Sequence, residues 1–489
     1  MSNTFPPGLL TVEAAVQQAY AACTEYKKTA GSRKAAFLRA IATEITAAGT
    51  ALVPVTQRET NLPVPRLEGE LVRTTKQINL FADLLEEGSW IRAIIDKKAD
   101  LFVDIRQQQV PLGVVAVFGA SNFPFAFSVA GGDTISALAA GCPVVHKGHP
   151  AHPETASIVA GCIYTAAEKT GMPTGVFSMV EGFEAGIQLV NHPLVNAVAF
   201  TGSFRGGKAL YDTAVRRARP IPVYAEMGSV NPVFILPHAL QQNGYDIASK
   251  LVASNLLGAG QFCTNPGIVV MPPLHDAKNF LETSAQLIAT AKTGAMLTQE
   301  IHSAYNAGVQ KFAGNTAVAV KARAAGIEED QIPAPHLFVT TAGDFMNDEQ
   351  LQEEIFGPSS LFIETNEKGE LYNIATSLHG QLTATVWGTD EDLREHAELL
   401  TILEDKAGRL LINGVPTGVE VTAAMVHGGP YPATTDSRST SVGTDAIYRF
   451  TRPVCYQNFP QHLLPEALKN DNPLGITRII NGFSSRDKI

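Results

Sequence analysis

The chain has 489 residues, 45% of them apolar and 17% charged, with a net charge of −10 at neutral pH. That size and balance predict a folded protein of about two or three domains with a large core, and exclude a disordered chain. The negative charge and the lack of any Lys/Arg block exclude nucleic acid as the expected partner.

The first residues, Met1–Pro7, lack the basic start and apolar stretch of a secretory signal. Five cysteines, Cys23, Cys142, Cys162, Cys263 and Cys455, are scattered and form no Cys-x-x-Cys or Cys/His cluster. Reduced thiols, no metal site and a cytoplasmic location are therefore expected. Residues 11–95 read as helices, with Ala14, Ala15, Tyr20, Phe37, Leu38, Ile41 and Ile45 at helical spacing. Residues 100–110 alternate in part like a strand with one wet face.

From Gln107 to Gly132 there is no charge, but Pro111, Gly113, Gly119, Pro124 and Gly131-Gly132 interrupt the run. A spanning helix needs about 20 continuous apolar residues, so no membrane segment is expected there. Gly113–Phe118 is an unbroken apolar run, the signature of a strand buried on both faces of a parallel sheet. Similar runs at 143–147, 176–180, 197–200 and 221–224 alternate with helical stretches at 132–140, 153–170, 184–190 and 206–216. Strands alternating with helices predict a doubly wound α/β sheet. A second α/β region is expected from about residue 245, with strands at 268–271, 382–387 and 408–412. A last strand at 448–457 precedes a Pro-rich tail.

Candidate chemistry lies at the ends of these strands, where α/β sheets build their sites. Asn122 follows the first buried strand and reads equally as a turn former or as an amide donor. Lys147 ends the next strand, suited to a ribose or phosphate, or else simply solvated. Gly202-Ser203 opens a glycine-rich turn into a helix, where exposed amides favour a pyrophosphate, although the spacing is not that of the common dinucleotide fingerprint. Glu226 ends a further strand, and Glu353–Pro358 forms an acidic-aromatic turn. Cys263 sits in Gly258–Gly267 among small residues, where it is either a core thiol or a nucleophile open to a ligand. No His is legible as the partner of Cys263; His427, in Met425–Pro430, reads as structural, with a secondary base as the alternative.

A thiol, a neutral amide, a carboxylate and a nucleotide turn in this order make up a thiol-based oxidation of an aldehyde. Ser121–Pro124, Phe200–Ser203, Ala225–Pro232, Gly260–Gly267 and Glu353–Pro358 stand in the order and approximate spacing of the aldehyde dehydrogenases, which the chain resembles from about residue 10 to 460. Pro222–Pro237, Gly418–Gly443 and the ending from Arg452 narrow the resemblance to members that oxidise α-ketoglutaric semialdehyde (2,5-dioxovalerate). The resemblance implies a Rossmann-type cofactor domain (1–97 and 112–244), an α/β catalytic domain (245–446), a small β oligomerisation element (98–111 and 447–460) and a C-terminal tail (461–489). It implies Cys263 as nucleophile, Asn122 as oxyanion donor and Glu226 as general base. Lys147, Gly202, Ser203, Glu354, Ser121 and Phe356 would hold the cofactor. Phe123 and Phe127 would line the substrate tunnel, with Phe125 as a further candidate, and Arg438 would bind the substrate carboxylate or else pair with Asp436.

Pro150 stands where NAD-preferring relatives often carry a glutamate, and His149 and His152 flank it. Without that carboxylate nothing there repels a 2′-phosphate, so NADP is expected to be preferred and NAD also used. A small-molecule aldehyde is the expected partner, in a homodimer or homotetramer. The rival readings are a dehydrogenase of another semialdehyde or an aliphatic aldehyde, a non-redox thiol hydrolase, and a non-catalytic binding protein.

Overall fold

The structure is a computed structural model that describes residues 10–97, 103–273, 275–326 and 330–489. The N-terminal reading over 1–7 and the start of the strand expected from residue 100 lie outside those residues. Three sheets organise the chain. The first is wholly parallel and grows from the predicted buried strand, Val114–Phe118, in which all five residues are buried. Val144–Lys147 and then Phe177–Val180 extend it on one side, and Val195–Thr201 and then Val223–Glu226 on the other. The chain thus reverses direction of growth at the central strand, and the crevice beyond the strand ends is a binding position.

Helices Gly132–Ala140, Pro153–Lys169, Phe183–Asn191 and Phe204–Val215 connect the strands, as the sequence pattern predicts. Three long helices, Val12–Lys28, Gly31–Thr60 and Val64–Glu87, pack against this unit. Gly31–Thr60 is long and apolar enough to cross a membrane, but its Phe37, Leu38, Ile41, Ile45 and Leu52 are buried in the protein core.

The second sheet has seven strands, parallel except for the edge pair Ala319–Arg323 and His336–Thr341. Its strand Val233–Ile235 and the start of helix Pro237–Leu256 precede residue 245, so this region begins earlier than expected. A three-residue strand between Pro232 and Pro237 is too short to show a period.

The third sheet is larger than the predicted pair. Thr451–Gln457 and Ile105–Pro111 pair antiparallel, and Ile94–Asp96, Arg478–Ile480 and Phe483–Ser485 complete it. Residues 448–450 belong instead to a 3₁₀ stretch, Thr444–Phe450. The expected tail therefore folds back, burying Leu464, Leu468 and Ile476 beside Ala93 and Ile95.

A buried ion pair fastens the 3₁₀ stretch to the first sheet. Arg449 Nη1 donates to Asp133, and Nη2 donates to the Tyr224 carbonyl at 2.8 Å. The two charged side chains are only 3% and 9% exposed. Removing one partner of such a pair strands the other charge. Arg449→Met is therefore expected to lower the unfolding free energy by about 3–5 kcal/mol, seen as a lower urea midpoint. Replacing Asp133 by Leu as well should recover most of that loss.

Candidate active site

The amide expected at the first strand's end is held from a helix below. Buried Glu70 accepts hydrogen bonds from the Phe125 N–H (2.8 Å) and the Ala126 N–H (3.0 Å) through one oxygen. This fixes the loop 119–127, and the Arg66 guanidinium donates to the Asn122 carbonyl at 2.7 Å. Asn122 is buried, and its side-chain N–H₂ donates one bond, to the Gln261 carbonyl at 3.0 Å. The amide has a second N–H to offer.

The thiol loop is equally constrained. Ala259, although not a glycine, adopts a left-handed backbone with φ 54°. A Cβ on Gly260 would stand 2.2 Å from the Gly357 carbonyl carbon, so only glycine lets this loop approach the turn 353–358. Asn231 donates its amide to the carbonyls of Cys263 (2.8 Å) and Asn265 (2.9 Å). Gln261, fully buried, accepts from the Leu297 N–H at 3.0 Å and is a structural residue.

Glu226, at the end of its strand, is buried together with His427 and Ser441. His427 Nε2 lies 2.8 Å from Glu226 Oε1 and 3.4 Å from Cys263 Sγ. The Ser441 hydroxyl donates to the other Glu226 oxygen. His427 is itself pinned, since its N–H donates to Thr440 Oγ1 at 2.8 Å. A Cys–His pair is thus present, contrary to the expectation from sequence, between residues 164 positions apart. Among the described residues the donor atoms of Glu226, Cys263 and His427 lie within 4.8 Å of one another. That spacing lets one proton pass among sulfur, imidazole and carboxylate.

The charges set the resting state. Burial pushes the Cys263 thiol well above its ordinary pKa of 9.0, and the negative charges of Glu226 and Glu354 push it further. Burial also raises Glu226, but the charge and hydrogen bonds of His427 and the Ser441 hydroxyl outweigh it and hold the carboxyl below its usual range. The site therefore rests as a neutral thiol beside a carboxylate, a nucleophile with its base already in place.

The expected cofactor residues lie at the ends of the first-sheet strands and on the turn facing them. Lys147 is half-buried at its strand end, its ammonium pKa lowered by burial and partly restored by the charge of Glu181. Ser203 caps helix Phe204–Val215, accepting from the Gly206 N–H at 3.2 Å, and with Gly202 leaves this helix start open to solvent. Glu354 reaches back across Gly228, where a Cβ would stand 2.2 Å from its carboxylate oxygen. Phe356 is half-buried beside it, and Ser121 adjoins Asn122. An ammonium, exposed helix-start amides and the Glu354 carboxyl, whose pKa burial raises to about 8, fit a nicotinamide dinucleotide in this order.

Phe123 packs edge-on against Phe127 (5.5 Å) and Phe262 (5.3 Å), and Phe127 lies 6.0 Å from the His427 ring. These rings cluster beside His427 and the segment that carries Cys263, whereas Phe125 belongs to the core. Arg438 is not brought there. Its side chain is 87% exposed and bonded to Asp436, which the short loop between them favours. Two arginines that sequence reading passed over, Arg73 and Arg409, are electrostatically coupled to the thiol.

Comparison with known proteins agrees with this geometry. A family model described as the aldehyde dehydrogenase family matches residues 10–451. The chain is 46% identical over 482 residues to an α-ketoglutaric semialdehyde dehydrogenase of Acinetobacter baylyi, covering 97% of this chain and 92% of that protein. It is 48% identical over 478 residues to α-ketoglutaric semialdehyde dehydrogenase 2 of Azospirillum brasilense, covering 96% and 91%. Among solved structures, an aldehyde dehydrogenase from Bacillus cereus superposes with a TM-score of 0.79 at 20% identity, covering 92% of this chain and 89% of that one. A Staphylococcus aureus betaine aldehyde dehydrogenase in complex with NAD+ gives 0.77 at 18% identity, with 92% and 89% covered. At these identities the two structures speak to the fold.

In the cofactor-free protein, alkylation of Cys263 by iodoacetamide is expected to accelerate about tenfold per pH unit from about 7 to 9, without a plateau, as the thiolate fraction does below its pKa. Glu226→Gln removes an anion that raises the thiol, so alkylation at pH 8 should become faster while aldehyde turnover falls. Peptide-resolved mass spectrometry separates Cys263 from exposed Cys455.

Proposed function

The chain belongs to the aldehyde dehydrogenase family, and from that premise we propose that it oxidises α-ketoglutaric semialdehyde (2,5-dioxovalerate) to 2-oxoglutarate with a nicotinamide cofactor. The observation that carries the substrate is the near full-length identity of 46% and 48% to two enzymes of that name.

The reaction starts when the Cys263 thiol gives its proton to the Glu226–His427 pair and the sulfur attacks the aldehyde carbon. The oxyanion so formed is held by the free N–H of Asn122 and the backbone N–H of Cys263. One such donor contributes about 3–4 kcal/mol to the transition state. When bound, the nicotinamide supplies the acceptor for the hydride that leaves this carbon. A thioester to Cys263 remains. The proton taken from the thiol passes to solvent, and Glu226, ionised again, removes a proton from the water that attacks the thioester and returns it to the departing sulfur. His427 and Ser441 keep the carboxylate aimed through both steps. Release of the acid restores the thiol.

A bound cofactor would be held by Lys147 at the adenosine end, by Gly202, Ser203 and the helix start at the pyrophosphate, and by Glu354 near the nicotinamide ribose, with Ser121 and Phe356 as further contacts. NADP is the preferred form, because Pro150 presents no carboxylate to a 2′-phosphate while Lys147 offers a cation. Burial keeps His149 neutral, its pKa lowered to about 3, and lowers that of His152, so neither adds positive charge. Glu181 works against the preference by placing a negative charge near Lys147. Subunits associate through the exposed edge strand Thr451–Gln457, whose unpaired backbone can extend a neighbour's sheet.

Formation of reduced nicotinamide from 2,5-dioxovalerate is expected to exceed that from succinic semialdehyde and from a long aliphatic aldehyde by at least about tenfold in kcat/KM, a difference of about 1.4 kcal/mol. A profile dominated by aliphatic aldehydes would sink the substrate and leave the chemistry at Cys263 standing. In the same assay kcat/KM should be higher with NADP than with NAD. Lys147→Ala should lower the NADP/NAD ratio, and Glu181→Gln should raise it. A ratio unmoved by either change removes these residues from cofactor choice.

A further inference from the structure

Helix Val64–Glu87 presents Arg66, Glu70 and Arg73 at spacings of four and three, so all three share the face turned to the site. Two of them have evident work. Glu70 fixes the Asn122 loop, and Arg66 donates to the Asn122 carbonyl while lying 4.9 and 5.0 Å from the Phe123 and Phe262 rings. Arg73 does not. Its Nε donates a long bond of 3.3 Å to the Val419 carbonyl, but Nη1 and Nη2 are both buried and have no protein acceptor.

A buried guanidinium with both terminal nitrogens bare is costly, because it has lost water and made no hydrogen bond there, and the nearby charges of Glu70, Glu226 and Glu420 offset the burial only in part. It stays charged even so. Its position gives that cost a purpose. The guanidinium lies 5.3 Å from the Phe127 ring, which packs on His427, which in turn contacts Cys263. Arg73 therefore stands one aromatic ring away from the reacting cluster.

Three other arginines of this region have less to offer: none has both terminal nitrogens buried and bare, although Nη1 of Arg66 is also without a partner. Arg409 donates through Nη1 and Nη2 to the carbonyls of Gly418 and Pro416. Arg66 has already spent one terminal nitrogen on Asn122. Arg438 is in solvent on Asp436.

We propose that Arg73 receives the carboxylate at the end of the substrate remote from the aldehyde, bidentate through Nη1 and Nη2, with Phe123 and Phe127 as the walls between it and Cys263. The inference rests on the reading of the substrate as an oxo-acid semialdehyde. A carboxylate matches the fork of a guanidinium in geometry and charge. An uncharged aldehyde would leave the buried cation unpaired, which makes the same residue a device for rejecting it.

The test is steady-state kinetics of the full-length enzyme with 2,5-dioxovalerate and with pentanal, together with inhibition by 2-oxoglutarate, for the native chain, Arg73→Met and Arg73→Lys. In Arg73→Met the kcat/KM ratio of dioxovalerate to pentanal should fall by about 100-fold, chiefly through KM, as truncation of a buried charge pair does. Inhibition by 2-oxoglutarate should weaken to a similar degree. Arg73→Lys, which keeps the charge and loses the fork, should be intermediate, and it carries the test if the Met variant fails to fold. An unchanged ratio with undiminished 2-oxoglutarate inhibition in either folded variant overturns the proposal. If the native enzyme itself shows no preference for dioxovalerate, the substrate reading fails. Inhibition by 2-oxoglutarate that weakens in the variants would still support Arg73 as a carboxylate site, and inhibition unaffected by them would overturn it.

Discussion

The side chain of Asn231 holds the two halves of the catalytic apparatus in register. Its amide donates to the carbonyls of Ser229, Cys263 and Asn265 at 3.1, 2.8 and 2.9 Å, and its oxygen accepts from the hydroxyls of Ser229 and Thr383. Asn231 can serve so many partners because its backbone takes the left-handed conformation, φ 45°, that asparagine tolerates. Gln381 fixes the same corner by accepting from the N–H groups of Val230 and Asn231. One buried corner therefore joins the segment that carries Glu226, the loop that carries Cys263 and the strand Gln381–Trp387. A base and a nucleophile from different sheets need such a joint, since an ångström of drift between them disables proton transfer.

Electrostatics explain why the site can be both stable and reactive. A buried thiolate facing Glu226 and Glu354 would be expensive, so the thiol rests protonated. That protects it from oxidation, whose rate follows thiolate character. The carboxylate is the opposite case, held ionised by His427 and Ser441 despite burial. The pair is thus poised to exchange a proton once a substrate presents a carbon to attack. His427 contributes by touching both partners, and the segment that bears it is stitched to the base strand where Ala225 and Thr435 exchange backbone and hydroxyl hydrogen bonds.

The helix Val64–Glu87 has a comparable role on the substrate side. Its buried face carries charges that a core helix ordinarily avoids. Each has a job there: Glu70 shapes the loop of Asn122, Arg66 ties that loop down, and Arg73 faces the aromatic walls with its terminal nitrogens free. Burying such groups sacrifices stability at a functional site, a cost that the three sheets and their cores can absorb.

The sequence by itself determined the alternation of apolar runs and helices, and with it the parallel first sheet, because strands buried on both faces must be continuously apolar. It also marked Asn122, Glu226 and Cys263, since strand ends followed by glycine, proline and small polar residues show locally. The tertiary structure alone decided what those residues meet. The contact of His427 with Cys263 spans 164 positions, and no local pattern can announce it. Arg438 looked like a carboxylate anchor because of its loop, yet it is the packing of a remote helix that buries Arg73 beside the site and leaves Arg438 in solvent. The C-terminal strands were hidden for a related reason. At three residues each they have no readable period, and they become strands only where Ile94–Asp96 offers them a free edge.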